Sequence, residues 1–336
     1  SDLRTENYLT YKPSRSVSPK VSYGSSVLAR QSVITMARDL EKSGDRVLSG
    51  INGDYFVMAT GNPLGLVVTD CILRSSASYL HALGFNADGT AVIGTPALTL
   101  RADFKGHSLK VSEINKIRDG EGYFLFTDDF GTTTKNTKPG IDVILTPITG
   151  NTGKAVKGAD GVSLTTSNQL KIGSLVPCRV EQVIDATGAT TIAKGKFVLS
   201  IIDTGGQWLK DMLHSLQPGD TLNLEVYSDD TRWNNVDCAV GAMYWILADG
   251  QVTAGLDAST AAPRTAVGVK PDGREIFNTI DGRQSGHSVG ATIQMVAQRL
   301  KELGCRDAIL LDGGGSTTMV STYPDYSDST LINAPS

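Results

Sequence analysis

A chain of 336 residues, 40% of them hydrophobic and 20% charged, has ordinary globular composition and ample length for a sizeable core. Its net charge of −4 excludes the basic footprint of a nucleic-acid-binding protein, and no apolar run approaches the roughly 20 residues of a membrane-spanning helix. One large or two modest domains fit this length, and the opening SDLRTENYLT carries no basic-then-apolar signal segment. Cys71, Cys178, Cys238 and Cys305 form no C-x-x-C pair, which argues against a zinc site. Buried small hydrophobes are the plain reading of these cysteines, and one or two disulfides are the alternative.

The first predicted element is a helix over roughly 32–43, with Val33, Met36, Ala37 and Leu40 on one face and Gly44 at its left-handed stop. A short gap leads to the apolar strand VLSGI (47–51) and then to NGDYF (52–56). Asn52, Asp54 and two aromatics together suit a sugar ring: the hydroxyls take the polar groups and the C–H faces take the rings. An N-G hairpin turn is the plainer reading. NPLGLVVTDC (62–71) then reads as a turn and a strand.

Turn signals such as NADG (86–89) and TGATT (187–191) punctuate the β-rich runs GYFLF (122–126), DVILT (142–146), KFVLSII (196–202), TLNLEVY (221–227) and AMYWIL (242–247). Residues 100–235 cluster little chemistry and are expected to form a β insert or second lobe. Within them KDMLHSLQPGD places His214 near a helix end, and His81 and His107 lack polar clusters.

PRTAVGV (263–269) opens a hairpin that turns at KPDG (270–273) into REIFNTIDG. Arg264, just before that strand, offers a fork for a phosphate or carboxylate, although an exposed arginine is the usual outcome at such a position. In GHSVGATIQMVAQRLKEL (286–303), Val289, Ile293, Val296, Leu300 and Leu303 predict a second helix. Ser285 or Ser288 would cap it and Gly304 would stop it. His287 would then stand at or near the helix start, where it serves as a phosphate donor or acid, or simply as a cap.

The strand AILL and the loop DGGGS (312–316) follow. Gly313, Gly314 and Gly315 let successive N–H groups point into one anion-binding concavity, and Ser316 and Thr317 add hydroxyls. Asp312 could orient water or a sugar hydroxyl; a tight turn before the strand STTMV is the plainer reading. The unit of helix, Gly stop, apolar strand, polar residue plus Gly occurs twice. That repetition predicts that the two strand ends meet, bringing Asp54 to Asp312 in one cleft. The chain holds no G-x-x-x-x-G-K-[ST], H-E-x-x-H or G-x-S-x-G.

NGDYF, PLGLVVTD, VGAMYWILADG (240–250), PRTAVGV, GRQSGHSVGATIQMVAQRL and AILLDGGGSTTMV together resemble the phosphodiester glycosidase family in order and approximate spacing. The resemblance covers the two ends of the chain well and the middle loosely. It implies hydrolysis of a sugar-1-phosphodiester at the anomeric carbon–oxygen bond, in an envelope or extracellular setting. The implied pocket uses Asn52, Asp54, Arg264, Thr265, Asp312, the glycines 313–315 and Ser316, with Asp54 and Asp312 carrying the chemistry. A phosphodiester leaves as a stable anion, so the reaction needs little acid help and no metal cofactor. A calcium ion on TDDFG (127–131) or YSDDT (227–231) stays open, though neither spacing fits an EF-hand.

Two rivals to this reading are a non-catalytic envelope glycan-binding protein and a transferase using the same pocket. Relatives of this kind continue past the DGGGS strand into a closing segment with a basic residue. A further polypeptide segment after Ser336 is therefore expected to complete the fold, or else the sheet should show an open edge beside the DGGGS strand. The expected fold class is α+β: a mixed, mostly antiparallel sheet with two packed helices and a β-rich central insert. The expected division is 1–100 and 236–336 as two halves of one domain, the second lacking its closing strand, with 101–235 inserted between them.

Overall fold

Period-two burial through the middle of the chain sets the architecture. In His107–Ile114, Leu109 and Val111 point inward between exposed neighbours, and Leu98–Phe104 alternates in the same way. The computed structural model describes residues 3–77, 81–234 and 236–336. It arranges the strands Gly140–Pro147, Phe197–Ile202, Tyr123–Thr127, His107–Ile114, Leu98–Phe104, Thr221–Ser228 and Ser174–Ala186 as successive neighbours. Pairing of Gly140–Pro147 with Ser174–Ala186 closes these seven strands into a barrel. Its interior is filled by Leu109, Val111, Leu125, Val143, Leu199 and Leu224. A short hairpin, Ala155–Lys157 with Ser163–Thr166, extends one strand.

The two ends of the chain build the rest together. An antiparallel six-stranded sheet runs in the order Glu6–Tyr11, Glu275–Ile280, Arg264–Val269, Asp307–Leu310, Tyr244–Ala248, Gln251–Val252. Both faces are buried. Helix α3 (Ile293–Glu302) covers one face, setting Val296, Ala297 and Leu300 against Ile246, Ala266 and Leu310. On the other face, Val267, Ile309 and Leu311 pack against Leu83, Phe85 and Cys238 of a five-stranded sheet. A third, small sheet joins Ser49–Ile51, Met319–Ser321 and Thr330–Leu331.

The expected α+β class is therefore corrected: the chain is mostly β. Its described α-helices are α1 (Val33–Lys42), α2 (Gln207–His214) and α3, and no two of them layer one sheet. Helix α1 lies against the small three-stranded sheet, α2 against the barrel and α3 against the six-stranded sheet. The sequence run 286–303 contains only ten helical residues. Residues 282–291 instead form a loop bridged to residue 262, and the cap is Thr292. The expected open edge beside the DGGGS strand is not found either. Asp307–Leu310 is paired on both sides, by Arg264–Val269 and Tyr244–Ala248. All four cysteines are free thiols. No helix of the described residues is long and apolar enough to cross a membrane.

Candidate active site

Strand register brings the chemistry to one end of the six-stranded sheet. Ala266 lies opposite Leu310 on one side and Tyr244 lies opposite Leu310 on the other. Arg264, Asp312 and Tyr244 thus emerge together at that end. The 52–54 segment meets them there, because the Asp312 N–H donates to Gly53 O at 3.1 Å. The two segments meet as the repeated helix–Gly–strand unit predicts, but Asp54 does not share an open cleft with Asp312, because both of its carboxyl oxygens are buried.

Asn52 is the knot that holds this meeting. Its Nδ2 donates to Asp312 O (2.8 Å) and Gly53 O (3.2 Å). Its Oδ1 accepts from Thr265 Oγ1 (2.7 Å) and Thr318 N (3.1 Å). An amide has two donors and two acceptor lone pairs, so all four are used inside the protein. Asn52 and the fully buried Thr265 were expected to bind substrate; the structure makes them scaffold for the two loops.

The two carboxyls differ. Asp312 is partly exposed: its Oδ1 accepts from Gly313 N at 2.8 Å, and burial raises its pKa while the Ser316 hydroxyl and the Gly313 amide pull it back. Asp54 is shut away. Neither of its oxygens has measurable solvent exposure or a well-formed hydrogen bond among the described residues. Burial lifts its pKa to about 7, with the Asp312 charge adding to the rise and the Tyr55 and Gly65 amides and Lys116 opposing it. It lies on bare backbone: a Cβ on Gly65 would sit 1.9 Å from Asp54 Oδ2, and one on Gly241 would sit 2.5 Å from it. Glycine in PLGLVV and in VGAMY is what leaves room for this carboxyl.

Cationic groups flank the glycine loop. Arg264 Nε donates to Ala291 O (3.0 Å) and Nη2 to Thr260 O (2.8 Å), which fixes the guanidinium and leaves Nη1 without an acceptor among the described residues. Burial pushes its pKa down, yet an arginine stays charged. Arg283, which sequence reasoning passed over in favour of His287, is exposed. Its Nη1 lies 3.1 Å from where a Gly314 Cβ would be. It has no hydrogen-bond or ion-pair partner among the described residues. Tyr55 completes the cluster: burial and the Asp312 charge push its phenol up to about 12, so it keeps its proton as a donor.

Three expectations change here. The glycine loop is not a three-amide nest, because it folds into the single 3-10 turn Gly314–Ser316. The Gly313 N–H goes to Asp312, the Gly314 N–H to Pro263 O (2.9 Å) and the Ser316 N–H to Gly313 O (3.2 Å). Gly314 has φ +61°, so the turn requires a residue that enters the left-handed region. His287 is not at a helix start: it lies six residues before α3 and pairs through Nε2 with the buried Asp281 at 2.9 Å. Asp281 also accepts from Asn333 Nδ2 (3.0 Å), so this cluster ties the segment around Asn333 down beneath the loop. The Asp-rich loops are engaged with protein groups. Asp129 pairs with Arg74 (2.8 Å), Asp230 with Arg232 (2.6 Å), and Asp128 accepts from Gly195 N (3.0 Å). Elsewhere, an open cleft of about 260 Å3 lies between the barrel and α2, where His214 pairs with Asp185 at 2.7 Å and Lys210 with Asp203 at 3.4 Å. With its charges already paired, it is a poorer candidate for chemistry than the Asp312 cluster.

Residues 188–336, which hold Arg264, Arg283 and Asp312, match the family model described as phosphodiester glycosidase. Over that stretch, less than half of the chain, it is similar to the phosphodiester glycosidase family. Within the curated proteins, an uncharacterized SPbeta prophage-derived protein of Bacillus subtilis (strain 168) is 37% identical over 78 residues, 22% of this chain and 12% of that protein. Two solved structures share the fold across nearly the whole chain. One is a hypothetical protein from Synechocystis, at TM-score 0.63 and 19% identity, covering 94% of this chain and 52% of that one. The other, from Burkholderia pseudomallei K96243, is described as exported, at TM-score 0.61 and 18% identity, covering 98% of this chain and 71% of that one. The chain thus spans about half of the Synechocystis chain and a small part of the prophage protein. Asn52 and Asp54 lie before the segment that the family model matches, and the hydrogen bonds of Asn52 tie them to it.

Proposed function

We propose that the chain is a glycoside hydrolase that cleaves a sugar-1-phosphodiester at the anomeric carbon–oxygen bond, on an envelope or extracellular glycan. One observation carries the reading: a partly exposed carboxylate, Asp312, stands at a glycine loop flanked by two guanidinium groups, Arg264 and Arg283, that have unfilled donors. The phosphodiester rests on Arg264 Nη1 and Arg283, and the Tyr55 hydroxyl donates beside it. Asp312 faces the sugar, where it stabilises the oxocarbenium-like transition state or orients the attacking water. The departing phosphate is a stable anion whose charge the arginines meet, so no strong acid is needed. Asp54, closed off from solvent, acts through its charge on Asp312 rather than by touching substrate. The family match and the exported structural neighbour support this chemistry and location.

Hydrolysis of a sugar-1-phosphodiester in 18O-water tests it. Mass spectrometry should find the label in the sugar and none in the phosphate. Asp312→Asn should lower kcat about 100-fold or more. Label in the phosphate would mean P–O cleavage and overturn the reading. Binding without turnover would favour the glycan-binding rival, and label-free transfer to an acceptor would favour the transferase.

A further inference from the structure

Lys116 is a buried ammonium that the proposed reaction leaves unexplained. It follows the barrel strand His107–Ile114 and is 1% exposed. Its Nζ donates to Pro63 O and, at 3.3 Å, to Gly65 O. A buried ammonium is tolerated only when hydrogen-bonded and met by opposite charge. Two carbonyls of one turn supply the hydrogen bonds. The charge comes from Asp54, whose Oδ2 lies against the Cα of Gly65 in that same turn, and from Glu113 on the barrel. Lys116 therefore grips the turn against which the Asp54 carboxyl rests.

We propose that Lys116 is a positioning residue for the carboxyl pair: reaching from the barrel, it clamps the Pro63–Gly65 turn that seats Asp54 and supplies the counter-charge to that carboxyl. Through Asp54 it sets the charge felt by Asp312. The titratable groups facing Asp54 are Lys116, Asp312 and the Tyr55 phenol, and those facing Lys116 are Asp54 and Glu113. The titration directions agree with this arrangement. Burial lowers Lys116 to about 8 and raises Asp54 to about 7, and each charge opposes the other group's shift. Only the consequence for turnover rests on the proposed reaction; the charge coupling stands apart from it.

The test is NMR titration of protein carrying 13C-labelled aspartate and 15N-labelled lysine, with Asp54 and Lys116 assigned from Asp54→Asn and Lys116→Met. Removing the ammonium should raise the Asp54 midpoint by about one unit, and removing the carboxyl should lower the Lys116 midpoint by a similar amount. Lys116→Arg should return the Asp54 midpoint most of the way to the wild-type value. If Lys116→Met does not fold, the Asp54→Asn arm decides alone, since asparagine mimics the neutral acid. Midpoints that stay within about 0.3 unit in both directions would overturn the proposal. In the hydrolysis assay, Lys116→Met should lower kcat about tenfold with KM little changed, because Lys116 does not touch substrate. A wild-type protein without turnover would sink the reaction and leave the titration result standing.

Discussion

Asp54 shows how a residue is visible in a sequence while its role is not. NGDYF marks the position, but nothing local tells that Gly65, in a turn, and Gly241, on the strand Cys238–Ala242, enclose its carboxyl. The burial has a consequence for stability. The pKa of Asp54 rises from 3.8 to about 7 on folding, so between those values the native state binds more protons than the unfolded chain. Stability from this group is therefore complete below about pH 4 and is lost as pH rises through about 7. The full effect is on the order of 4 kcal/mol, at about 1.4 kcal/mol per pKa unit. Glu275, which burial also pushes up to about 7, adds a parallel decline. Urea unfolding at pH 4.5 and pH 8 should show wild type losing more stability than Asp54→Asn, with the Glu275 part common to both. Equal losses in the two proteins would mean that Asp54 ionises without penalty. Lys116, by contrast, was illegible: it sits in a stretch with no motif, and only the barrel's position against the 63–65 turn gives it meaning.

Elements were legible where their periodicity was uninterrupted. The α1 span and its Gly44 stop, the Arg264–Val269 hairpin and the apolar face of α3 all follow from spacing and turn residues. The start of α3 did not, because Val289 continues the helical spacing while Gly286 and Gly290 take φ of +77° and +93°. Those conformations break the helix, and Val289 is left 38% exposed. The run AMYWIL reads as one strand but is divided at Met243 between two sheets, since Ala242 ends one strand and Tyr244 begins the next. The true cap of α3 is Thr292, whose Oγ1 accepts from Met295 N at 3.2 Å. Thr292→Ala should cost about 1 kcal/mol in urea unfolding. No loss would mean that tertiary packing alone holds that end.

At the scale of the whole molecule, four of the seven barrel strands have a local β-rich signature, but the closure of Gly140–Pro147 onto Ser174–Ala186 has none, so the barrel reads as an insert. Closure also divides the chain by stability. The barrel strands Gly140–Pro147 and Phe197–Ile202 are paired on both sides, the second wholly buried and the first buried over residues 140–143 and at 145. The small sheet has strands of three, three and two residues, with Thr330 and Leu331 exposed. Few buried contacts and short ladders place a segment at the low end of local stability. The glycine loop joins a well-paired regime to the weak one: Asp307–Leu310 before it lies in the six-stranded sheet, buried and paired on both sides like the barrel strands, and Met319–Ser321 after it lies in the small sheet. Hydrogen exchange followed by mass spectrometry should therefore show residues 319–331 exchanging well before 140–147 and 197–202. An anion held by Arg264 and Arg283 would stabilise the loop that joins these regimes, so a non-hydrolysable sugar-1-phosphonate should slow exchange in 313–321 first and leave the barrel unchanged. Uniform exchange across both regions would show that the molecule opens only as one unit. Protection confined to the cleft beside α2 would move the ligand site away from the DGGGS loop.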